Sequence, residues 1–313
     1  MNILITGGAG FIGHNVVARL EQLGHSCSVL DNETDYGIVE QHELQPLLAE
    51  RRQLYRAPLH RINLESNDAN IDWMVKHYQP EVIIHLASFP RQKVVSANPR
   101  WGADVMMGGT MSLLEAARAH NVKRFVYISS SMVYGDFTQD VDEDTVCRPI
   151  GQYGIMKLAG EWLVRDYARR GCFEHTIVRP SAVYGPRDME DRVVSKFLTA
   201  AMRGQPLRVK GINERLDFTY VDDAVAGIVA AALEPRAAGR TYNITRSQSH
   251  TLLEAAQLAV ATVGRGEIEI QNKDAEYPSR AGLRIDRARE DLGFIPQVDI
   301  QEGFQRYYEW LKK

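Results

Sequence analysis

A glycine-rich loop near the N terminus restricts the fold of this chain more than any other feature of the sequence. The segment ILITGGAGFIG places Gly7, Gly10 and Gly13 three residues apart, after an apolar run and before a segment with apolar residues at helical spacing. The first glycine permits a tight turn, the second lets the backbone approach a diphosphate, and the third allows close packing of helix on strand. The segment therefore predicts a strand, a phosphate-binding turn and a helix whose N–H groups face an anion.

An acidic residue after the second predicted strand, at residues 28–30, indicates which dinucleotide to expect. The carboxylate of Asp31 can accept hydrogen bonds from ribose hydroxyls but would repel a ribose phosphate. Asn32 and residues 33–34 offer no cation for such a phosphate. We therefore expect NAD rather than NADP, and a glycine turn without a ligand is the alternative.

Short apolar runs alternate with longer amphipathic segments through the first half of the chain. Strands are predicted at residues 3–5, 28–30, 82–86 and 125–128, and helices at residues 11–23, at residues 113–119 and after Tyr153. This alternation is typical of βαβ units, so the predicted fold class is α/β with a doubly wound parallel sheet. Residues 33–64 are longer than a usual connection and are expected to carry a helix and a surface excursion.

The second half of the chain has shorter, more turn-rich elements. We expect a smaller C-terminal α/β lobe that packs on the carboxyl ends of the strands, where such folds bind ligands. The dinucleotide-binding domain is placed at residues 1–178, with later segments returning to it, and the substrate lobe mainly at residues 179–313.

Charge and cysteine content argue against several classes of function. A formal net charge of −3 provides no basic field for nucleic acid. No apolar stretch approaches the length that spans a membrane. The odd number of widely separated cysteines, without metal-ligand spacing, predicts no metal site and a reducing, cytoplasmic location: Cys27, Cys147 and Cys172.

The segment YGIMK places Tyr153 and Lys157 four residues apart, which on a helix puts both side chains on one face. A free tyrosine titrates near ~10, and a neighbouring ammonium favours the phenolate. A surface pair would also have this spacing. The preceding glycine loop and the serine cluster in SSSMVYGDF, residues 129–137, favour a catalytic base.

Seven motifs occur in order along nearly the whole chain and resemble the extended short-chain dehydrogenase/reductases, which include the NAD-dependent nucleotide-sugar epimerases and dehydratases. They are the glycine loop, HLAS (85–88), SSSMVYGDF, YGIMK, RPSAVYGP (179–186), LDFTYVDD (216–223) and LGFIPQVDIQEGF (292–304). The resemblance implies a Rossmann domain for NAD and a smaller lobe for a nucleotide-diphosphate sugar.

The resemblance also implies the roles of individual residues. Ser130, four residues before Tyr134, is the expected catalytic serine that hydrogen-bonds the reacting oxygen beside Tyr153, and Lys157 assists the base and holds the ribose. His85 is expected to have a core or backbone-positioning role. The expected cofactor site comprises Gly7, Gly10, Phe11, Ile12, Gly13, Asp31, Asn32, Leu86, Ala87, Tyr153 and Lys157.

A diphosphate needs donors, and arginine presents a rigid fork suited to it. The expected substrate contacts are Arg91, Ser131, Met132, Ser181, Arg215 and Arg280. Arg179, Arg187 and Arg192 are further candidates. A surface ion pair is the alternative for each arginine.

Four departures from the family pattern bear on the substrate more than on the chemistry. The family's adenine-contacting aspartate maps to Arg61 or Asn63, and two usual asparagines map to Met106 and Ala182. The customary arginine of the LDFTYVDD region is shifted to Arg215.

Met132 occupies the position where related dehydratases carry a glutamate and related C3/C5 epimerases carry a cysteine. A thioether has no proton to exchange. The predicted function is therefore a 4-epimerase acting through a transient 4-keto sugar. A C4 dehydrogenase that releases the keto sugar is the first alternative, and a dehydratase ranks below it; Cys147 could in principle supply an acid, although a packed thiol is favoured.

A non-catalytic dinucleotide sensor is the competing class of function. Such proteins generally lose the tyrosine and lysine, which this chain retains. Members of the family usually form homodimers through two helices of each subunit, and the apolar positions in residues 113–119 and 158–164 are compatible with that interface or with a core face.

Overall fold

The strands and helices are defined here on a computed structural model that describes residues 1–34, 36–65, 68–189, 191–275 and 277–313. The strands are β1 (Asn2–Thr6), β2 (Ser26–Asp31), β3 (Leu59–Arg61), β4 (Val82–His85), β5 (Arg124–Ile128), β6 (Glu174–Pro180), β7 (Val183–Tyr184), β8 (Leu207–Lys210), β9 (Arg215–Asp217), β10 (Thr219–Tyr220), β11 (Arg240–Ile244), β12 (Ser249–Thr251) and β13 (Ile268–Gln271). Seven of them form one parallel sheet in the order β11-β6-β5-β4-β1-β2-β3. The predicted doubly wound α/β class is confirmed.

Helices cover both faces of this sheet. They are α1 (Phe11–Gln22), α2 (Gln41–Arg52), α3 (Asp68–Tyr78), α4 (Gln92–Ala97), α5 (Pro99–Ala103), α6 (Gly109–Ala119), α7 (Gln152–Arg169), α8 (Val193–Arg203), α9 (Val221–Leu233), α10 (Leu252–Val263), α11 (Asp286–Leu292) and α12 (Ile300–Leu311). A π-helical turn, Asp104–Gly108, leads into α6, and a 3₁₀ turn, Ser131–Tyr134, follows β5. None of the helices in the described ranges has the length and apolar character needed to cross a bilayer.

The core lies in two layers because successive side chains of a strand point to opposite faces of the sheet. In β1, Ile3 and Ile5 join the cluster that contains α1 residues such as Val16 and Val17. Leu4, between them, joins the cluster on the other face. Since both faces are buried, the strands read as continuous apolar runs rather than as alternating ones.

His85 links the sheet to a neighbouring helix. Its Nδ1 lies 2.6 Å from the Thr6 hydroxyl of β1, and its Nε2 lies 2.9 Å from the Thr110 hydroxyl of α6. Burial lowers the pKa of His85 to about 3, so the imidazole is neutral at physiological pH. His85 therefore connects the end of β4 to the end of β1 and to α6 within the core.

The second half of the chain leaves the sheet and returns to it. β6 ends at Pro180. The later strand β11 pairs with it in parallel over the whole length of β11, from Arg240 opposite Thr176 to Ile244 opposite Pro180. The three two-stranded pairs β7·β10, β8·β13 and β9·β12 lie outside the main sheet. The division into lobes at residues 178 and 179 stays a prediction.

Candidate active site

A cleft of about 1130 Å³ opens where the parallel strands end. Apart from two of the three further arginine candidates, the residues assigned above to catalysis, cofactor or substrate lie along this one cleft: Gly7, Gly10, Phe11, Ile12, Gly13, Asp31, Asn32, Leu86, Ala87, Arg91, Ser130, Ser131, Met132, Tyr153, Lys157, Ser181, Arg215 and Arg280. This clustering is expected because ligands of such folds bind beyond the carboxyl ends of the strands. The individual roles stay predictions.

The glycine loop connects β1 to α1 by a turn that tolerates no side chain at two positions. Gly7 has φ 73°, and its N–H donates to the carbonyl of Leu30 over 2.8 Å. A Cβ on Gly13 would lie 2.0 Å from the carbonyl oxygen of Gly7. Since the residue preceding α1, Gly10, has no side chain to cap the helix, the first N–H groups are available to an anion such as a diphosphate.

Asp31 ties the end of β2 to this loop. Its carboxylate accepts hydrogen bonds from the backbone N–H of Ala9 over 2.9 Å and of Glu33 over 2.7 Å. Burial raises the pKa of Asp31, and the two N–H donors oppose this shift. The loop and the carboxylate together fit the diphosphate and the ribose of a dinucleotide.

The two positions to which the family's adenine-contacting aspartate maps are not among the described residues that line the cleft. Arg61 is hydrogen-bonded to Glu33, and Asn63 accepts a hydrogen bond from Asn32 over 2.9 Å. Within the described part of this segment, Ile62, Leu64 and Glu65 line the cleft instead. The departure from the family pattern is therefore accompanied by a lining of two apolar side chains and one carboxylate.

Tyr153 lies in the first turn of α7, next to Ser130. Burial raises the pKa of the phenol, whereas the positive charge of Arg192 and a hydrogen bond with Ser130 lower it. The Ser130 oxygen also accepts a hydrogen bond from the N–H of Met132 over 3.2 Å. Because that contact uses an acceptor site of the hydroxyl, the single proton of Ser130 remains free to donate one hydrogen bond in the cleft.

Lys157 follows Tyr153 by one helical turn and is also buried. Its Nζ donates to the carbonyl of Ile128 over 2.8 Å and lies 6.0 Å from the centre of the Tyr153 ring. Burial lowers the pKa of Lys157 to about 7, and the negative charge of Glu161 opposes the shift. The ammonium has two further donors for a ribose or a phenolate.

The arginines expected to contact the substrate differ in the hydrogen bonds and ion pairs that they already make within the protein. Arg215 donates to the hydroxyl of Ser249 over 3.0 Å and to its carbonyl over 2.6 Å. Arg91 forms an ion pair with Asp191. Burial lowers the pKa of Arg280 to about 10, which leaves the guanidinium charged at neutral pH.

Two further arginines, weighed as diphosphate contacts from the sequence, were wrongly placed. Arg179 is 3% exposed and forms an ion pair with Glu161 beneath the site, and Arg187 pairs with Glu50 over 3.0 Å. Neither is among the described residues that line the cleft, whereas Arg192 is.

Ser131 and Ser181 are hydrogen-bonded to each other over 3.2 Å, and both are almost fully buried. Met132 lies beside them with 6% of its surface exposed. Cys147 does not line the cleft in the described structure, and its Sγ lies 3.8 Å from the carbonyl of Thr145. Burial raises the pKa of this thiol, which makes it a poor substitute acid.

The sequence analysis missed Arg51, which docks the predicted excursion onto the glycine loop. This residue lies in the last turn of α2 with 3% of its surface exposed, and its Nη1 donates to the carbonyl of Ala9 over 3.4 Å. Its Nη2 donates to the carbonyl of Arg187 over 2.6 Å. Only the adjacent pair Arg51-Arg52 marks the position in the sequence, and a charged pair of that kind is usually solvated.

The described residues contain no group of histidine, cysteine or acidic side chains arranged to hold a metal ion. The polar groups that line the cleft are hydroxyls, guanidinium groups, amides, carboxylates and lysines, and among them the ammonium of Lys157 lies beside the phenol of Tyr153. Such a set suits proton transfer at a hydroxyl next to a bound dinucleotide.

Comparisons with known proteins agree with this geometry. Residues 3–245 match the model of the NAD dependent epimerase/dehydratase family. A UDP-glucose 4-epimerase of Mycolicibacterium smegmatis is 30% identical over 324 residues, which cover 100% of this chain and 99% of the relative.

Two solved structures are similar over their whole length. The UDP-glucose 4-epimerase of Thermotoga maritima, solved with UDP-glucose, has a TM-score of 0.89 and 26% identity, covering 100% of this chain and 99% of that chain. The UDP-glucuronic acid 4-epimerase of Bacillus cereus, solved with UDP-glucuronic acid and NAD, has a TM-score of 0.91 and 25% identity at the same coverage. The similarity thus includes the segments that follow the main sheet.

Proposed function

Since the chain belongs to the NAD-dependent epimerase/dehydratase family, we propose that it interconverts two nucleotide sugars that differ only in configuration at C4. It is an NAD-dependent enzyme, as the sequence predicted. The observation that carries the proposal is that Ser130, Tyr153 and Lys157 line one cleft, with Tyr153 one helical turn before Lys157, and that Met132 in the same lining offers no further proton.

The glycine loop and Asp31 would hold NAD, and when bound the nicotinamide supplies a hydride acceptor and donor for C4 of the sugar. Tyr153 accepts the proton of the C4 hydroxyl and later returns it. Ser130 donates its hydrogen bond to the reacting oxygen, and the ammonium of Lys157 stabilises the phenolate. Return of the hydride to the opposite face of a transient 4-keto sugar gives the epimer.

Elimination chemistry has less support at this site. A dehydratase needs a second acid or base near the sugar, and the side chain at the usual position is the thioether of Met132. Cys147 is not among the described residues that line the cleft, and burial raises the pKa of its thiol, which disfavours the thiolate. A C4 dehydrogenase that releases the keto sugar uses the same three residues, so product analysis must separate it from the epimerase.

The expected substrate is a nucleoside diphosphate sugar, with Arg215 and Arg280 as contacts for the diphosphate. UDP-glucose and UDP-glucuronate are the first compounds to test, because similar proteins carry these substrates in their names. Arg91 also lines the cleft, and because its ion pair with Asp191 leaves Nε and Nη2 without hydrogen-bond partners among the described residues, it is available for a charged sugar substituent.

The proposal is tested by incubating the purified protein, without added cofactor, with UDP-, GDP-, CDP- and dTDP-sugars and analysing products by mass and proton NMR. A product of unchanged mass with a new sugar spin system supports the epimerase. Loss of water would replace it with a dehydratase, and loss of two hydrogens, only up to the amount of enzyme, with a dehydrogenase. Tyr153→Phe must lower conversion to a small residual rate, whereas Tyr78→Phe, which alters a phenol bonded to His60 outside the cleft, must not lower it.

We also infer a homodimer, through the two helices considered in the sequence, α6 and α7, but only partly through the same residues. Leu113 and Leu114 are completely buried in the core. Apolar side chains on the same two helices are exposed instead, namely Met111 (44%), Ile155 (52%) and Trp162 (64%). A second copy of this chain would cover them. Light scattering should give the mass of a dimer, and Trp162→Glu should shift it toward the monomer.

A further inference from the structure

The helix that carries Tyr153 begins without a cap of its own. The first N–H groups of any helix lack partners within the helix, and a side chain at the N-cap usually accepts from one of them. The N-cap of α7 is Gly151, which has φ 79° and no side chain. Tyr153 is the second residue of α7, so its backbone N–H is one of these groups.

Gln92, from α4, supplies the missing acceptor. Its Oε1 accepts a hydrogen bond from the N–H of Tyr153 over 3.1 Å, and its Nε2 donates to the hydroxyl of Ser96 over 3.0 Å. Only 5% of the residue is exposed. Both ends of the amide are therefore engaged, which fixes its orientation within the protein.

Gly151 makes this approach possible. A Cβ at that position would lie 2.2 Å from Nε2 of Gln92, far inside van der Waals contact. The glycine thus removes the local cap and at the same time opens the space for a cap from another element. Burial of a polar amide is costly unless it is hydrogen-bonded. The buried position of the Gln92 amide therefore depends both on the N–H of Tyr153 and on the absence of a side chain at Gly151.

The same segment also packs against the Tyr153 side chain. Tyr153 and Met156 contact a small cluster formed by buried residues that follow β4: Phe89, Val95, Val105 and Met106. Residues 88–94, which include Gln92, line the cleft. One side of the cleft therefore holds the first turn of α7 through both a hydrogen bond and apolar packing.

We propose that Gln92 is a positioning residue, which sets the phenol of Tyr153 against Ser130 by holding the backbone of the first turn of α7. This inference rests on the proposed function, since it assigns Gln92 a role in the proton transfer. A displacement of the base by a fraction of an ångström affects the rate more than the binding of substrate, because proton transfer depends on donor–acceptor distance.

The test compares Gln92→Met, which keeps the length of the side chain and loses the acceptor, with Gln92→Glu, which keeps an acceptor oxygen. Gln92→Met should lower kcat about 10-fold with KM changed by less than about 2-fold. Gln92→Glu should recover most of the kcat, and the matched control Gln305→Met, on the exposed face of α12, should leave both constants unchanged. Bound NAD should stay the same in all three, and the melting temperature of Gln92→Met should fall only slightly, as expected for the loss of one helix cap.

A double-mutant cycle separates the loss of positioning of Tyr153 from a general destabilisation of the fold. In the Tyr153→Phe background, Gln92→Met should have no further effect on the residual rate, because there is no phenol proton to misplace. If Gln92→Met folds poorly, Ser96→Ala provides a milder loosening of the same amide and should lower kcat about 2-fold to 4-fold.

An unchanged kcat in Gln92→Met, or an equal loss in the presence and absence of the Tyr153 hydroxyl, would overturn the inference. Full activity in Tyr153→Phe alone would instead overturn the proposed function. The two failures are therefore distinguishable.

Discussion

Arg179 donates two hydrogen bonds to Glu161, from Nε over 2.8 Å and from Nη2 over 2.7 Å, and the two side chains are 3% and 0% exposed. Burial alone would raise the pKa of Glu161, but the hydrogen bonds and charge of Arg179 lower it. The same carboxylate accepts from the hydroxyl of Ser129 over 2.6 Å. The ion pair thus anchors the residue immediately before Ser130.

Replacing Arg179 with Met should be strongly destabilising, because it leaves the carboxylate of Glu161 buried without its main partner. We expect a loss of about 3–5 kcal/mol in the free energy of unfolding. Urea unfolding at neutral pH measures it. Arg165→Gln, which removes a partly exposed partner 3.1 Å from the same carboxylate, should cost much less. Equal losses in both variants would contradict this account.

The stability of the cofactor-free protein should depend on pH through Lys157. The native ammonium loses its proton near pH 7, whereas an unfolded lysine keeps its proton until about 10.5. Between these values the unfolded state binds more protons, so the free energy of unfolding should rise with pH, by up to about 1.4 kcal/mol per pH unit. Lys157→Met should lack this component. Parallel pH profiles for the two proteins would show that Lys157 is not the cause.

Arg192 should set the lower end of the pH range of activity. Its positive charge favours the phenolate of Tyr153, so Arg192→Gln raises the pKa of the base. Near neutral pH, kcat should fall about 3- to 10-fold and then approach the wild-type value at alkaline pH. Lys196→Gln, a charge change in the first turn of α8 just after Arg192, should leave the profile in place. A loss in Arg192→Gln that is equal at every pH would indicate a binding role instead.

Asp31 should determine the choice between NAD and NADP. Asp31→Ser removes the charge that repels a ribose phosphate and also two hydrogen bonds to the backbone of Ala9 and Glu33. Titration calorimetry should show NAD binding weakened by about 10-fold or more and the preference over NADP reduced. Glu33→Gln, which removes a neighbouring charge, should retain the preference. An unchanged ratio in Asp31→Ser would rule out this role.

The parts of the site that lie within one strand–turn–helix unit could be predicted from the sequence. Gly7 and Gly13 are close in the chain, and the steric reasons for glycine act locally. The spacing of Tyr153 and Lys157 is likewise a property of one helix. The residue types and intervals alone carried these predictions.

Contacts between distant segments could not be predicted in this way. Arg51 meets Ala9 and Gln92 meets Tyr153 across 42 and 61 residues of sequence. Nothing in a polar helix such as α2 marks which charged side chain turns inward. Arg179 was misjudged for the same reason, because only the fold brings Glu161 beside it and makes a buried ion pair of what the sequence offered as a ligand contact.

The pairing of β11 with β6 determines where the chain can be truncated or exchanged without breaking the main sheet. A fragment that ended before Arg240 would leave β6 as the edge of the sheet, with a row of unsatisfied backbone groups open to a neighbouring molecule. The segment between these strands is therefore an insertion in the sheet rather than an appendage to it. Exchanging the segment between β6 and β11 with that of a relative should succeed only when both strands keep their pairing register. A single cut at the middle of the chain should yield aggregates.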